Sequence, residues 1–205
     1  MRLLPLALLL ATPLFAQPAH KFQDVAIAPK GDLLLALEAP SDDPQAHIVV
    51  TLRRIADGGV VRRIDPCPAC LYSDPVFGPD GMLAFLARDR AAGTVMLDTL
   101  DAGGNVRSIA TIKGVAQMPR FSPEGRRIAL LVTLDAAKES GATQAGARQI
   151  GEIGERHDEQ RIAVFDIAAA IEADAVRPVS PAGRYVYEYD WTPDGRAFVA
   201  STALG

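Results

Sequence analysis

Positive charge is in deficit in this 205-residue chain: 21 Lys and Arg stand against 25 Asp and Glu, for a formal net charge of −4. The pI is near 5.4. Nucleic acids and anionic membranes are bound through clustered Lys and Arg, so the balance argues against both as partners. Cysteine is nearly absent, with only Cys67 and Cys70. Aromatic residues make up 6% and charged residues 22% of the chain. Length and composition exclude an extended disordered chain, a collagen, a coiled coil and a multi-span membrane protein. What is abundant is apolar surface, at 49% with a mean hydropathy of +0.12, and turn formers, with 17 Gly and 15 Pro. That mixture fits many turns and short strands better than long helices.

Part of the apolar excess is a leader. Arg2 is a minimal positive region, Leu3 to Phe15 is an apolar run, and Leu14-Phe15-Ala16 before Gln17 has the form of a cleavage site, so residues 1–16 are expected to be a secretory signal peptide. Pro5 and Pro13 break a helix interior, and the run is shorter than the roughly 20 residues a membrane span needs. The mature chain is therefore expected in an oxidising compartment, the periplasm or the exterior, with no membrane contact after cleavage.

The compartment bears on Asp65-Pro66-Cys67-Pro68-Ala69-Cys70. A redox motif calls for a helix N-terminus to lower the first thiol's pKa, and Pro66 and Pro68 precede no helical pattern. A zinc half-site calls for two further ligands, and His20, His47 and His157 have no ligand spacing to one another. A local disulfide between Cys67 and Cys70 is the preferred reading, with modest stabilisation from so short a loop. No metal, cofactor or catalytic residue is assigned. His157-Asp158-Glu159 reads as a solvated stretch.

Self-similarity is the strongest signal. Ile27-Ala28-Pro29-Lys30-Gly31, Phe77-Gly78-Pro79-Asp80-Gly81, Phe121-Ser122-Pro123-Glu124-Gly125 and Trp191-Thr192-Pro193-Asp194-Gly195 share one pattern, with prolines 50, 44 and 70 residues apart. Proline pre-sets φ in a tight turn and glycine takes the positive φ that closes it. Short apolar runs follow: Leu33 to Leu37, Leu83 to Leu86, Ile128 to Val132 and Phe198 to Ala200. A second hairpin then appears at His47 to Leu52 with Val60-Val61, at Thr94 to Asp98 with Val106 to Ile109, and at Arg161 to Asp166 with Val176 to Ser180. Two hairpins per repeat of about 45 residues make a four-stranded propeller blade. The fold expected is all-β, a partial β-propeller of about three and a half blades with Pro-Asp-Gly-type hairpins. Blade 1 spans about 22–65, blade 2 about 74–112, blade 3 about 117–180 with an insertion at 135–160, and blade 4 begins about 185. Propellers close with roughly four to eight blades, so 17–205 is expected to be an incomplete propeller, the truncated part of a longer protein. Assembly of two or more copies into one ring is the alternative.

Pro-Asp-Gly hairpins at this spacing resemble the propeller repeats of TolB-like periplasmic proteins and of the prolyl oligopeptidase family of serine peptidases. A more specific likeness lies in Gly151-Glu152-Ile153-Gly154, in Asp158-Glu159-Gln160-Arg161-Ile162-Ala163-Val164, and in Tyr185-Val186-Tyr187-Glu188-Tyr189-Asp190-Trp191 running into the last turn. With the secretory start, these resemble the propeller of secreted bacterial acylaminoacyl- or dipeptidyl-peptidase-like members. The resemblance implies a propeller that gates substrate for a C-terminal α/β-hydrolase domain, with that domain and peptides as partners. Catalysis there belongs to a Ser-Asp-His set whose serine sits in Gly-x-Ser-x-Gly. None of Ser41, Ser73, Ser108, Ser122, Ser140, Ser180 and Ser201 has that context, so no triad position carries over, and paired glutamates for a free amino terminus are not evident. Tyr187, Tyr189 and Trp191 read as alternation on an inner strand, filling gaps between blades. A TolB-like binding or scaffold module is the other function consistent with the repeat.

Open blade faces expose apolar surface and invite association. Recombinant residues 17–205 are accordingly expected to be oligomeric or poorly soluble by light scattering after gel filtration; a monodisperse, sharply melting monomer would contradict this.

Overall fold

A computed structural model of the chain describes residues 20–39, 41, 43, 45–101, 104–136, 159–169 and 176–204. The leader at 1–16, most of the insertion at 135–160, the segment Gly151 to Gly154, and His157 with Asp158 lie outside the described residues. The described residues form twelve strands and no helix, in a partial β-propeller.

The first sheet is an antiparallel meander of β1 (Lys21–Ile27), β2 (Leu33–Ala39), β3 (Val49–Arg54) and β4 (Val60–Ile64). A six-stranded sheet follows, built of β5 (Leu71–Phe77), β6 (Leu83–Asp89), β7 (Thr94–Leu100), β8 (Val106–Phe121), β9 (Arg127–Leu134) and β10 (Arg161–Asp166). The last sheet pairs β11 (Arg184–Trp191) with β12 (Phe198–Leu204).

The six-stranded sheet is two blades sharing one strand. The first half of β8, Val106 to Lys113, pairs with β7, and the second half, Gly114 to Phe121, pairs with β9. The pivot is Gly114, at φ 123°, where a Cβ would lie 2.3 Å from the Thr133 carbonyl oxygen. Only glycine fits a positive φ against so close a backbone. Sequence periodicity sees two separate apolar runs here, whereas the backbone continues from the outer edge of blade 2 to the inner edge of blade 3.

Each repeat turn is closed by a hydrogen bond from the backbone N–H of the residue that follows the inner strand. Ala28 donates to Leu33 O at 2.9 Å, Ser122 to Arg127 O at 2.8 Å and Thr192 to Ala197 O at 2.9 Å. In blade 2 the bond runs from Gly78 to Met82 O at 2.7 Å, so that turn is one residue shorter. Since side chains alternate faces along a strand, Leu83 stands in place of Leu34, Ile128 and Phe198, although counting from the glycine aligns it with Leu33.

With that offset the packing is regular. Leu35, Leu37, Val50 and Leu52 of blade 1 meet Tyr72, Leu83, Phe85 and Ala87 of blade 2. On the next interface Leu86, Val95 and Leu97 meet Ile128, Leu130 and Val132. Ala129, Leu131 and Ile162 then meet Val186, Tyr189 and Trp191. The outward faces differ. Glu38 takes the place that Ala87 and Val132 hold elsewhere and is buried against Arg53 Nη2 at 2.7 Å, while Ile27 is 63% and Val199 69% exposed.

Where the sequence indicates a return strand at Val176 to Ser180, the structure has an isolated bridge between Ala163 and Pro178. Pro178 and Pro181 have no N–H to give a ladder, and side chains substitute. Ser180 Oγ accepts the Ile162 N–H at 3.0 Å, and the Arg161 guanidinium donates to the Ser180 carbonyl.

Besides Glu38, a second carboxylate is buried among the described residues. Asp98, 3% exposed on β7, pairs across the strand with Phe85, and its pKa is raised because burial disfavours the charged form. A raised carboxyl pKa stabilises the fold relatively below the unfolded value and loses that advantage as pH climbs from the unfolded to the folded pKa. Asp98→Asn is therefore expected to raise stability at pH 7 by more than at pH 4, measured by urea unfolding at each pH; an equal effect at both would refute this.

Candidate functional site

The repeat turns gather on one face. Phe77, Phe121 and Trp191 close the inner strands of successive blades and, with Val76, Pro79 and Pro123, line a groove of about 310 Å³. The Phe121 ring lies against Gly78, where an added Cβ would meet it at 2.9 Å. Trp191 Nε1–H donates to the Arg120 carbonyl at 3.0 Å. Arg127 locks the next turn: its guanidinium donates to Gly195 O at 2.7 Å and to Glu124 Oε1 at 2.8 Å, and its Cζ stacks 4.9 Å from the Trp191 ring centroid. The turn carboxylates are satisfied locally. Asp194 accepts from Thr192 Oγ1 at 2.6 Å and from the Arg196 N–H at 3.1 Å, which hold its carboxyl below the usual range.

The groove has one polar wall. Arg120 Nη1 lies 3.5 Å from Asp190 Oδ2, Arg120 Cζ is 5.7 Å from the Tyr189 ring centroid, and the buried Arg120 Nε has no partner. An apolar floor beside a guanidinium and a carboxylate can seat a side chain and hydrogen-bond a backbone. Ser122 Oγ accepts the Arg127 N–H at 3.0 Å, and among the described residues each histidine faces a carboxylate, His20 at 3.7 Å from Glu38 and His47 at 3.1 Å from Asp65.

The inner aromatics divide. Tyr189 and Trp191 are buried between blades, whereas Tyr187 is 38% exposed, its ring tilted against that of Tyr185 with centroids 4.7 Å apart. A register shift between Val186 and Glu188 breaks the alternation, so the expectation of gap filling is corrected for Tyr187. The same irregularity recurs between Ser73 and Val76 and between Gln117 and Arg120, where Asp74 and Met118 take positive φ and Asp74 Oδ1 accepts the Met118 N–H at 3.1 Å. Sequence reading missed these bulges; those after Ser73 and Gln117 carry a signal, Pro75 and Pro119 inside the strands, and the one after Val186 carries none.

Cys67 and Cys70 lie between β4 and β5, disulfide-bonded with Cα atoms 5.2 Å apart. The Cys70 N–H donates to Cys67 O at 2.8 Å, closing a turn. The Cys67 N–H donates to Tyr72 Oη at 2.8 Å, and that hydroxyl donates to Asp65 Oδ1 at 2.8 Å. Burial raises the Tyr72 pKa, with Asp65 and Asp98 adding to the shift. Of the stretch His157-Asp158-Glu159, Glu159 is described, and its carboxylate accepts the Gly183 N–H at 2.9 Å.

No family model matches the chain, and no curated protein matches it. Solved structures do. A prolyl endopeptidase superposes with a TM-score of 0.58 at 14% identity, over 92% of this chain and 27% of that one. Hydrazine synthase of Kuenenia stuttgartiensis gives 0.57 at 19% identity, over 89% and 44%. A TolB-like protein of Agrobacterium tumefaciens gives 0.56 at 14% identity, over 88% and 54%. Likeness at these identities establishes a shared fold and no shared activity. The chain spans about half or less of the length of each.

Tyr189 ties the third interface: its buried Oη lies 2.7 Å from both Met118 O and Ala129 O. Tyr189→Phe is expected to cost about 2 kcal/mol in urea unfolding, since it removes a buried hydrogen bond across the interface and leaves no replacement for it; an unchanged stability would contradict this.

Proposed function

We propose that this chain is the substrate-gating propeller of a secreted serine peptidase whose chemistry lies in a separate α/β-hydrolase domain. The observation that carries the reading is the segment Tyr185 to Gly195, which resembles secreted members of the prolyl oligopeptidase family and runs along β11 into the turn that leads to β12. The resemblance of Gly151 to Gly154 and of Asp158 to Val164 supports it, as does the fold shared with a prolyl endopeptidase. A leader at 1–16 and a bonded Cys67–Cys70 pair fit a periplasmic or secreted location.

In this reading the propeller's part is selection. Blades locked face to face by apolar packing make a rigid wall, so a peptide passes only if it is short or unfolded enough to thread past it. The turn-face groove, with Phe77, Phe121 and Trp191 beside Arg120 and Asp190, is a surface on which a hydrolase domain or an extended peptide can rest. The expected partners are that domain and peptides, and neither nucleic acid nor membrane.

A TolB-like periplasmic binding module is the second reading, favoured by the larger share of the TolB-like protein that the superposition covers, 54% against 27% for the endopeptidase. The product of the whole encoding reading frame, treated with a fluorophosphonate probe, separates the two. Labelling of a serine outside residues 1–205, with short peptides cleaved and residues 17–205 alone inert, is the expected result. An unlabelled whole product with no Gly-x-Ser-x-Gly motif would overturn the peptidase reading and leave the binding module.

A further inference from the structure

We propose that the Cys67–Cys70 disulfide is a thiol–disulfide exchange site, attacked at Cys67, that couples redox state to the junction of blades 1 and 2. This does not depend on the peptidase reading. The two cysteines are unequal: Cys67, packed on the edge of the core shared by the two blades, is half-buried in the exposed turn Asp65 to Ala69, whereas Cys70 is 1% exposed within that core. An incoming thiolate therefore reaches Cys67 Sγ, and Cys70 is the leaving group.

The bond sits where it can be felt. It closes a loop of only a few residues, so it removes little entropy from the unfolded chain. What it holds in place is the Cys67 N–H, the donor to Tyr72 Oη at 2.8 Å. Tyr72 is 1% exposed, and its ring packs edge-on to Phe85, centroids 5.6 Å apart, in the core between the blades. Its hydroxyl in turn donates to Asp65 Oδ1, which also meets His47 Nε2 at 3.1 Å. Asp65 leads out of β4, and His47 sits just before β3, so blade 1, the disulfide loop and the first strand of blade 2 meet at one phenol. The turn is kept by Pro68 and by the Cys70 N–H to Cys67 O bond, so the thiols stay neighbours after reduction and can re-form the bond.

The co-reactant is a dithiol. One of its thiolates attacks Cys67 Sγ, the Cys67–Cys70 bond breaks, and Cys70 departs with the electron pair and takes up a proton. The second thiol attacks the mixed disulfide, Cys67 leaves and is protonated, and the dithiol departs as its own disulfide. Two electrons and two protons pass to the cysteine pair.

The test uses the folded chain in graded ratios of reduced to oxidised dithiothreitol, with hydrogen exchange read by mass spectrometry. Expected is a single two-electron step below any unfolding, with amide exchange at Cys67 and across β2 and β6 rising by about fivefold, the worth of one hydrogen bond. Tyr72→Phe should remove that redox-dependent rise while leaving the two-electron step intact. Cys70→Ser should be captured by oxidised glutathione at Cys67, and Cys67→Ser should resist capture at Cys70. Thiols that appear only on unfolding, capture at Cys70, or exchange across β2 and β6 that ignores reduction would each overturn the proposal. The wild-type titration decides it even if a cysteine variant fails to fold.

Discussion

A propeller blade is apolar on both faces, and the rest of this structure follows from the need to cover both. A sheet normally buries one face and leaves the other to water. Here β2, β6 and β9 carry apolar side chains at consecutive positions, because alternate side chains face opposite ways. Leu83, Phe85 and Ala87 of β6 meet blade 1 while Ala84 and Leu86 meet blade 3, and Ile128, Leu130 and Val132 of β9 meet blade 2 while Ala129 and Leu131 meet blade 4. At roughly 25 cal/mol per Å² of apolar area removed from water, these interfaces outweigh any single polar contact in the chain. The two outward faces show what happens without a neighbour. Glu38 with Arg53 replaces an apolar residue on one, and Ser201 stands on the other where Leu37, Leu86 and Leu131 stand elsewhere.

Polar contacts then set the angle and register at which blades meet. Trp191 Nε1 and Tyr189 Oη donate back to backbone carbonyls of the preceding repeat, and Arg127 donates forward to one of the following repeat. Such bonds add modest net stability, yet leaving a buried carbonyl unpaired costs more, so they discriminate against slipped packing. The Tyr72 hydroxyl serves the first junction in the same way, and there the donor is supplied by a turn that a disulfide closes. The turn-face groove is a by-product of this locking: the aromatic residues that end the inner strands pack against neighbouring turns and leave a shallow apolar surface between them.

Much of this was legible in the sequence because turn chemistry is local. Pro-x-Gly at four positions located every first hairpin, and alternation located most second ones. What stayed hidden depends on contacts distant in sequence or on single backbone choices. Continuity of β8 rests on Gly114 meeting the Thr133 carbonyl, which no pattern around Gly114 announces. The one-residue shortening at Gly78 to Met82 shifts the faces of β6, and only a hydrogen bond reveals it. Tyr187 turns outward because of a bulge, and Pro178 reduces a strand to a bridge. The groove was illegible for a related reason: Phe77, Phe121 and Trp191 are far apart in the chain, and each reads alone as an ordinary core residue.

Native-state hydrogen exchange resolved by residue tests most directly whether packing between blades holds the molecule together. Protection is predicted to peak in Leu35 to Leu37, Phe85 to Ala87 and Ala129 to Val132, which lie under two neighbours or deep in one interface, and to be lowest in β1 and β12, whose outer faces carry exposed Ile27, Val199 and Leu204. Uniform protection across the strands, or a maximum in β1 or β12, would contradict the account.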